Sequence, residues 1–161
     1  MVAEASKRAP ESAQIYSART FRSGESAGAL IGLARKALVE EFDRELAPLG
    51  LNTAQALVLV FLADERAGTA AELCKNLSHD PGAMTRLIDK LEEMNLVRRV
   101  RGHGDRRSAR LELTRRGHEL RADVTRVQMN VNNRALRGFS PAEARALEGL
   151  LKRVLDNVAD E

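Results

Sequence analysis

Residues 69–117 read TAAELCKNLSHDPGAMTRLIDKLEEMNLVRRVRGHGDRRSARLELTRRG, and this stretch decides the fold. Thr69-Ala70-Ala71-Glu72 is a capping box: a hydroxyl residue and, three positions on, a carboxylate that satisfy each other's backbone N–H groups at a helix start. It opens a short helix over residues 69–77. Asp80-Pro81 restarts the chain after a tight turn, since Asp accepts at the helix start and Pro stands where a missing N–H costs nothing. Met84, Leu87, Ile88, Leu91 and Met94 then recur at helical spacing across residues 81–94. Asn95, which tolerates positive φ, ends that helix. From Leu96 onward the pattern turns strand-like, and Ala109-Arg110-Leu111-Glu112-Leu113 alternates with period two. Between these runs lies a basic tip, Arg101-Gly102-His103-Gly104-Asp105-Arg106-Arg107. Helix, turn, helix, basic β-ribbon is the order of a winged helix-turn-helix. In that arrangement one helix enters the DNA major groove and the ribbon reaches a neighbouring groove.

Working outward, a first helix is expected over residues 26–47, with an apolar stripe of Leu30, Leu33, Ala37, Phe42 and Leu46 and a stop at Pro48 and Gly50. A second starts at Asn52, with Gln55 reaching back, and should bury Ala56, Leu57, Leu59, Val60 and Leu62. Thr114 caps a long helix reaching about residue 137. Ser140-Pro141-Ala142-Glu143 opens the last one, whose seam is Leu147, Leu150, Leu151, Val154, Leu155 and Val158. Residues 1–23 have no sustained period and read as a flexible arm, with Ile15, Tyr16 and Phe21 available to pack on a partner subunit. The stripes on the first helix and the last two exceed what a small DNA-reading lobe covers. They predict a two-fold dimer that sets two recognition helices about 34–36 Å apart.

Composition agrees with this plan. Aromatic residues make up 3% of the 161-residue chain and Trp is absent, so its core must come from Leu, Ala and Val, which favours helices. Net charge is only +3, too little to indicate nucleic acid by itself, but its distribution is uneven. Residues 84–117 hold ten Lys/Arg against five Asp/Glu, and residues 118–161 hold seven of each. The single cysteine, Cys74, excludes an internal disulfide and fits a reducing compartment. With no apolar run long enough for a signal peptide or a membrane span, a cytoplasmic protein without membrane contact is expected.

These residues resemble the MarR (multiple antibiotic resistance regulator) family of transcription factors over roughly residues 26–158. The resemblance rests on Leu49-Gly50-Leu51-Asn52-Thr53-Ala54-Gln55, Ala71-Glu72-Leu73, Met84-Thr85-Arg86-Leu87-Ile88-Asp89-Lys90-Leu91-Glu92 and Leu96-Val97-Arg98-Arg99. Asp105-Arg106-Arg107 and Leu113-Thr114-Arg115-Arg116-Gly117 complete it. Asn95 replaces the family's usual Gly, Cys74 a small Ala, and Gly102-His103-Gly104 the frequent Asp-Pro before the wing Asp. It implies a mainly α fold with a small β-hairpin wing. The winged helix-turn-helix core (52–117) is flanked by dimerisation helices (26–48 and 118–158), making 24–161 one domain.

With Met84, Leu87, Ile88 and Leu91 turned inward, the recognition helix shows Gly82, Ala83, Thr85, Arg86, Asp89 and Lys90. Gly82 and Ala83 allow close approach, with backbone N–H groups free to meet a phosphate. Thr85 suits a base edge or thymine methyl, Arg86 a bidentate grip on guanine, and Lys90 a phosphate. The alternative is a solvated face with Arg86 paired to Asp89 or Glu93. The resemblance gives Asp105 a structural pairing with an arginine at the wing base and sends Arg106 or Arg107 into a narrow minor groove. Arg98, Arg101 and Arg110 are expected phosphate contacts, His103 approaches phosphate from the wing, and Arg99 packs or pairs at the wing base. His79, just before the recognition helix, is either another phosphate neighbour or merely solvated.

No catalytic set, phosphate loop or metal-ligand spacing is found: His79, His103 and His118 lie far apart, so neither a metal nor another cofactor is expected. Reaction with oxidants would need a low-pKa, accessible thiol, whereas Cys74 lies at an inward position beside Leu73 and Leu77. The resemblance implies a homodimeric repressor of a pseudo-palindromic operator. A small aromatic or phenolic anion would release it from a crevice between the dimer helices and the winged lobe. Arg35, Arg44, Arg121 and Arg126 are possible anion partners there, with surface solvation the simpler reading of each. The alternatives are a single-cysteine redox sensor on the same scaffold, or a non-transcriptional nucleic-acid-binding module.

Overall fold

The computed structural model describes residues 14–100 and 109–159. The chain forms two compact units, the first ending at Lys36 and the second beginning at Ala37. Within the first unit a turn closes at residues 17–21, where the Phe21 N–H reaches the Ser17 carbonyl at 2.8 Å. Tyr16 Oη accepts the Ala27 N–H at 2.9 Å, and its ring meets Phe21 edge-on at 5.5 Å between centroids. This places an aromatic cap on the start of the first helix, α1 (Ala27–Leu46).

In the second unit a 3-10 turn (Ala47–Leu49) leads to α2 (Thr53–Ala63), α3 (Ala70–Leu77) and α4 (Pro81–Glu93). Strands β1 (Val97–Val100) and β2 (Arg110–Leu113) follow, then α5 (Arg115–Ala135) and α6 (Pro141–Ala159). Each start expected from the sequence carries its cap. Asn52 and Gln55 exchange hydrogen bonds of 2.9 Å, and Thr69 and Glu72 bonds of 3.3 and 3.0 Å. Asp80 accepts from Ala83, Thr114 from Gly117, and Ser140 pairs reciprocally with Glu143. Such caps satisfy N–H groups that a helix cannot pair internally, each worth about 1 kcal/mol. Gly50 (φ 72°) and Asn95 (φ 56°) adopt the left-handed backbone that their positions predict. Ser78 (φ 51°) does so as well, closing α3 without the Gly or Asn that usually signals such a stop.

β1 and β2 pair antiparallel with Val97 opposite Leu113 and Arg98 opposite Glu112. Leu111 also donates to the Gly68 carbonyl at 2.8 Å, which ties the α2–α3 loop to the ribbon. The core is aliphatic: Val58 and Leu59 from α2, Leu73 from α3, Met84, Ile88 and Leu91 from α4, and Leu96, Leu111 and Val124 beyond. Fully burying each large aliphatic side chain contributes about 1.5–3 kcal/mol. The α2 expectation is partly corrected. Val58 and Phe61 are buried there, while Leu57, Val60 and Leu62 are only half-buried. An all-apolar helix with neighbours on several sides does not reveal by periodicity which stripe goes deepest.

The base of the ribbon is stitched to α5. Thr114 Oγ1 donates to the Asn95 carbonyl at 2.7 Å, and the Thr114 N–H reaches the Leu96 carbonyl at 3.0 Å. Gly117 is buried against the same carbonyl, where an added Cβ would overlap the oxygen.

The terminal stripes behave differently. In α1 only Leu46 is buried, while Leu30 and Leu33 are 55% and 61% exposed. In α6 no residue is buried, and Leu150, Leu155 and Val158 are more than half exposed. The stripes are present where periodicity puts them, but a single chain leaves them open. Among the described residues no single helix is long and apolar enough to cross a membrane.

Candidate nucleic-acid interface

α4 is divided lengthwise. Met84, Ile88 and Leu91 are fully buried and fix its rotation, leaving Gly82, Thr85, Arg86, Asp89 and Lys90 exposed on the other side and Ala83 half-buried at its edge. Thr85 Oγ1 donates to the Pro81 carbonyl at 2.8 Å, so its methyl and its oxygen lone pairs are what it offers outward.

The backbone at the start of α4, expected to meet a phosphate, has a partner within the chain. Asp80 Oδ1 already accepts the Ala83 N–H at 2.8 Å, and Pro81 has no N–H to give. Hydrogen bonds from the Ala83 and Gly82 backbone, with Arg86 nearby, hold the Asp80 carboxyl below the usual carboxylate range. A helix start that carries its own ionised carboxylate is a poor phosphate seat, because its donor and its positive potential are both engaged. Gly82 has a separate use. A Cβ there would stand 3.3 Å from Asp80 Oδ1, so its absence leaves room for the capping carboxylate, while Arg86 Nη1 would be in ordinary contact at 3.6 Å.

The alternative pairings weighed for Arg86 are not formed. Asp89 is held by Arg99 Nη2 at 2.7 Å, and Glu93 by Lys90 Nζ at 3.1 Å. Arg99 also pairs with Glu92 through Nη1, while its backbone N–H reaches Glu92 Oε1 at 2.9 Å. The expected pairing of Arg99 therefore exists, with α4 supplying both partners. Among the described residues no hydrogen bond or contact ion pair engages Arg86, whose interaction with Asp80 is through space.

On the ribbon, Arg98 is clamped by the cross-strand Glu112 at 3.2 Å through Nε and 2.7 Å through Nη2. A phosphate would have to compete with that carboxylate, which weakens the case for Arg98. Arg110, opposite Val100, lies beside Gly68 and contributes to keeping the Glu72 carboxyl acidic, chiefly the work of the Gly68 N–H. Arg101, His103, Asp105, Arg106 and Arg107, which carry the expected wing contacts, lie outside the described residues.

His79 is half-buried with Nδ1 2.8 Å from the Leu77 carbonyl, a turn-stabilising contact. Cys74 is half-buried against the core. Three of the arginines considered for an anion are already compensated: Arg44 by Glu41, Arg121 by Asp64 at 2.6 Å and Arg126 by Asp123. Among the described residues no group of three His, Cys, Asp or Glu gathers at ligand spacing.

The sequence profile of the MarR family matches residues 51–109. The multiple antibiotic resistance protein MarR of Escherichia coli K12 is 30% identical over 129 residues, which cover 80% of this chain and 90% of that protein. The transcriptional repressor MprA of the same organism is 27% identical over 123 residues, covering 75% and 70%. A crystal structure of a cysteine-to-serine variant of E. coli MarR bound to operator DNA superposes with a TM-score of 0.72. It is 30% identical, covering 80% of this chain and 92% of that one.

Proposed function

Since this chain belongs to the MarR family of DNA-binding transcriptional regulators, and is no enzyme, we propose that it is a homodimeric repressor acting on a pseudo-palindromic operator in the cytoplasm. The observation that carries the reading is the rotation of α4. Its buried Met84, Ile88 and Leu91 turn Thr85 and Arg86 outward together, one turn from the helix start, where a recognition helix meets base edges. Thr85 and Arg86 read bases, Arg110 holds phosphate, Lys90 does so only by exchanging its Glu93 partner, and Arg106 or Arg107 enters the minor groove. The uncovered seams of α1 and α6 support a second copy as their partner, because such stripes are costly to leave in water. Repression rests on the family and on the function that the name of MprA gives that relative. Release by a small aromatic or phenolic anion rests on the family resemblance alone.

The test is footprinting of purified protein on its own upstream DNA against random duplex across a salt series. A two-fold protected site with dimer stoichiometry and a steep salt slope supports the proposal. Equal affinity for both duplexes removes the claim of an operator there.

A further inference from the structure

The charge carried by α4 is wrong for a helix that meets DNA. Its sequence, PGAMTRLIDKLEE, holds two cations, Arg86 and Lys90, against three carboxylates, Asp89, Glu92 and Glu93. Asp89 stands three residues from Arg86 and four from Thr85, so all three share a face. Unpaired carboxylates there would lie within a Debye length of phosphates, about 8 Å at physiological salt, and would repel them.

Two pairings deal with this excess. Lys90 spends its charge on Glu93. The remaining carboxylates are met from outside the helix, by a residue that follows α4 by only a few positions along β1. Arg99 holds Asp89 through one guanidinium nitrogen and Glu92 through the other, and adds its backbone N–H to Glu92. The three side chains remain accessible, at 36% for Arg99, 51% for Asp89 and 29% for Glu92. The arrangement therefore changes the field that a duplex meets and is not sealed in the core. Among the described residues, the α4 charge left without a partner at contact distance is Arg86.

We propose that Arg99 is a positioning residue for DNA recognition, which offsets one of the two carboxylate charges of Asp89 and Glu92, so that the side chains of the recognition helix, Arg86 and the Lys90–Glu93 pair included, meet the duplex neutral in sum and not net negative. This deepens the DNA-binding reading and rests on it. Arg99 itself touches no base. Its guanidinium is turned to two carboxylates, and its effect on DNA passes through them.

The experiment is a charge-rescue series on the full chain, read as affinity for random duplex and for the protein's own upstream DNA at low and moderate salt. Arg99→Met should weaken both by about tenfold at low salt, because repulsion by exposed carboxylates is independent of sequence. Adding Asp89→Asn and Glu92→Gln to Arg99→Met should restore affinity to at least the wild-type level. Asp89→Asn with Glu92→Gln in the presence of Arg99 should bind more tightly than wild type, and keeps the proposal testable should Arg99→Met unfold. If the triple variant stays as weak as Arg99→Met, Arg99 contacts phosphate itself or holds the ribbon, and the proposal is wrong. Unchanged binding by the double variant also overturns it. A wild-type protein that binds neither duplex defeats the DNA-binding reading, a result distinct from intact wild-type binding with no effect of the variants.

Discussion

Arg86 is the side chain on which sequence-specific binding should depend most, because among the described residues its charged neighbours are paired at contact distance and it is not. Asp89 and Glu93, the carboxylates that could have neutralised it, belong to Arg99 and Lys90. Arg86→Ala is expected to weaken operator binding by about 1–3 kcal/mol and to relax base preference at one position. Arg110→Ala should weaken all duplexes alike and lower the salt slope by about one unit. Titrations on matched and mismatched duplexes at several salt concentrations separate the two, and equal loss on operator and random DNA for Arg86→Ala would sink its base-reading role. Arg98 stands apart from them: gripped twice by Glu112, it should contribute less to binding than its exposed, basic position in the sequence implies.

Elements in this protein begin where short-range chemistry says they should. Caps involve residues three apart, and stripes involve residues three and four apart, so both are visible in a linear sequence. The contact that Tyr16 makes with the start of α1 is not legible in that way. Tyr16 caps α1 across eleven residues, and no periodic signal marks such a contact. Two consequences can be measured. Gly117→Ala should abolish a stable fold or sharply lower its thermal midpoint, since the new methyl meets a backbone carbonyl and not a yielding side chain; a near-native melt would refute the close packing of α5 on Leu96. The cap at Glu72 should make α3 sensitive to acid. The Gly68 N–H and the Thr69 hydroxyl and N–H hold this carboxyl below its ordinary value in the folded chain. Its contribution is thus complete above the unfolded carboxylate pKa and is lost as pH falls through the lower folded one. Glu72→Gln should accordingly flatten the acid limb of a stability-versus-pH curve, and an unchanged limb would assign acid lability to other groups.

Taken whole, the chain carries more apolar helix than it covers. Leu150, Leu155 and Val158 on α6 are open to solvent, and no residue of that helix is buried. Leu150→Glu with Leu155→Glu should therefore yield a folded monomer by sedimentation and abolish tight operator binding, since two linked half-sites bind far more tightly than one. A dimer that survives both substitutions would place the interface elsewhere. Helix and strand identity, the caps, the turn chemistry and the inward face of α4 could all be read from the chain, because each depends on neighbours within about one helical turn. The charge balance of the recognition face could not. Arg99 meets Asp89 and Glu92 only after β1 has folded back beside α4, and Asp80 claims the Ala83 N–H that a phosphate would have needed. Local periodicity records which way a side chain turns. Which of the many exposed charges finds a partner depends on distances across the fold, and those exist only once the elements have packed.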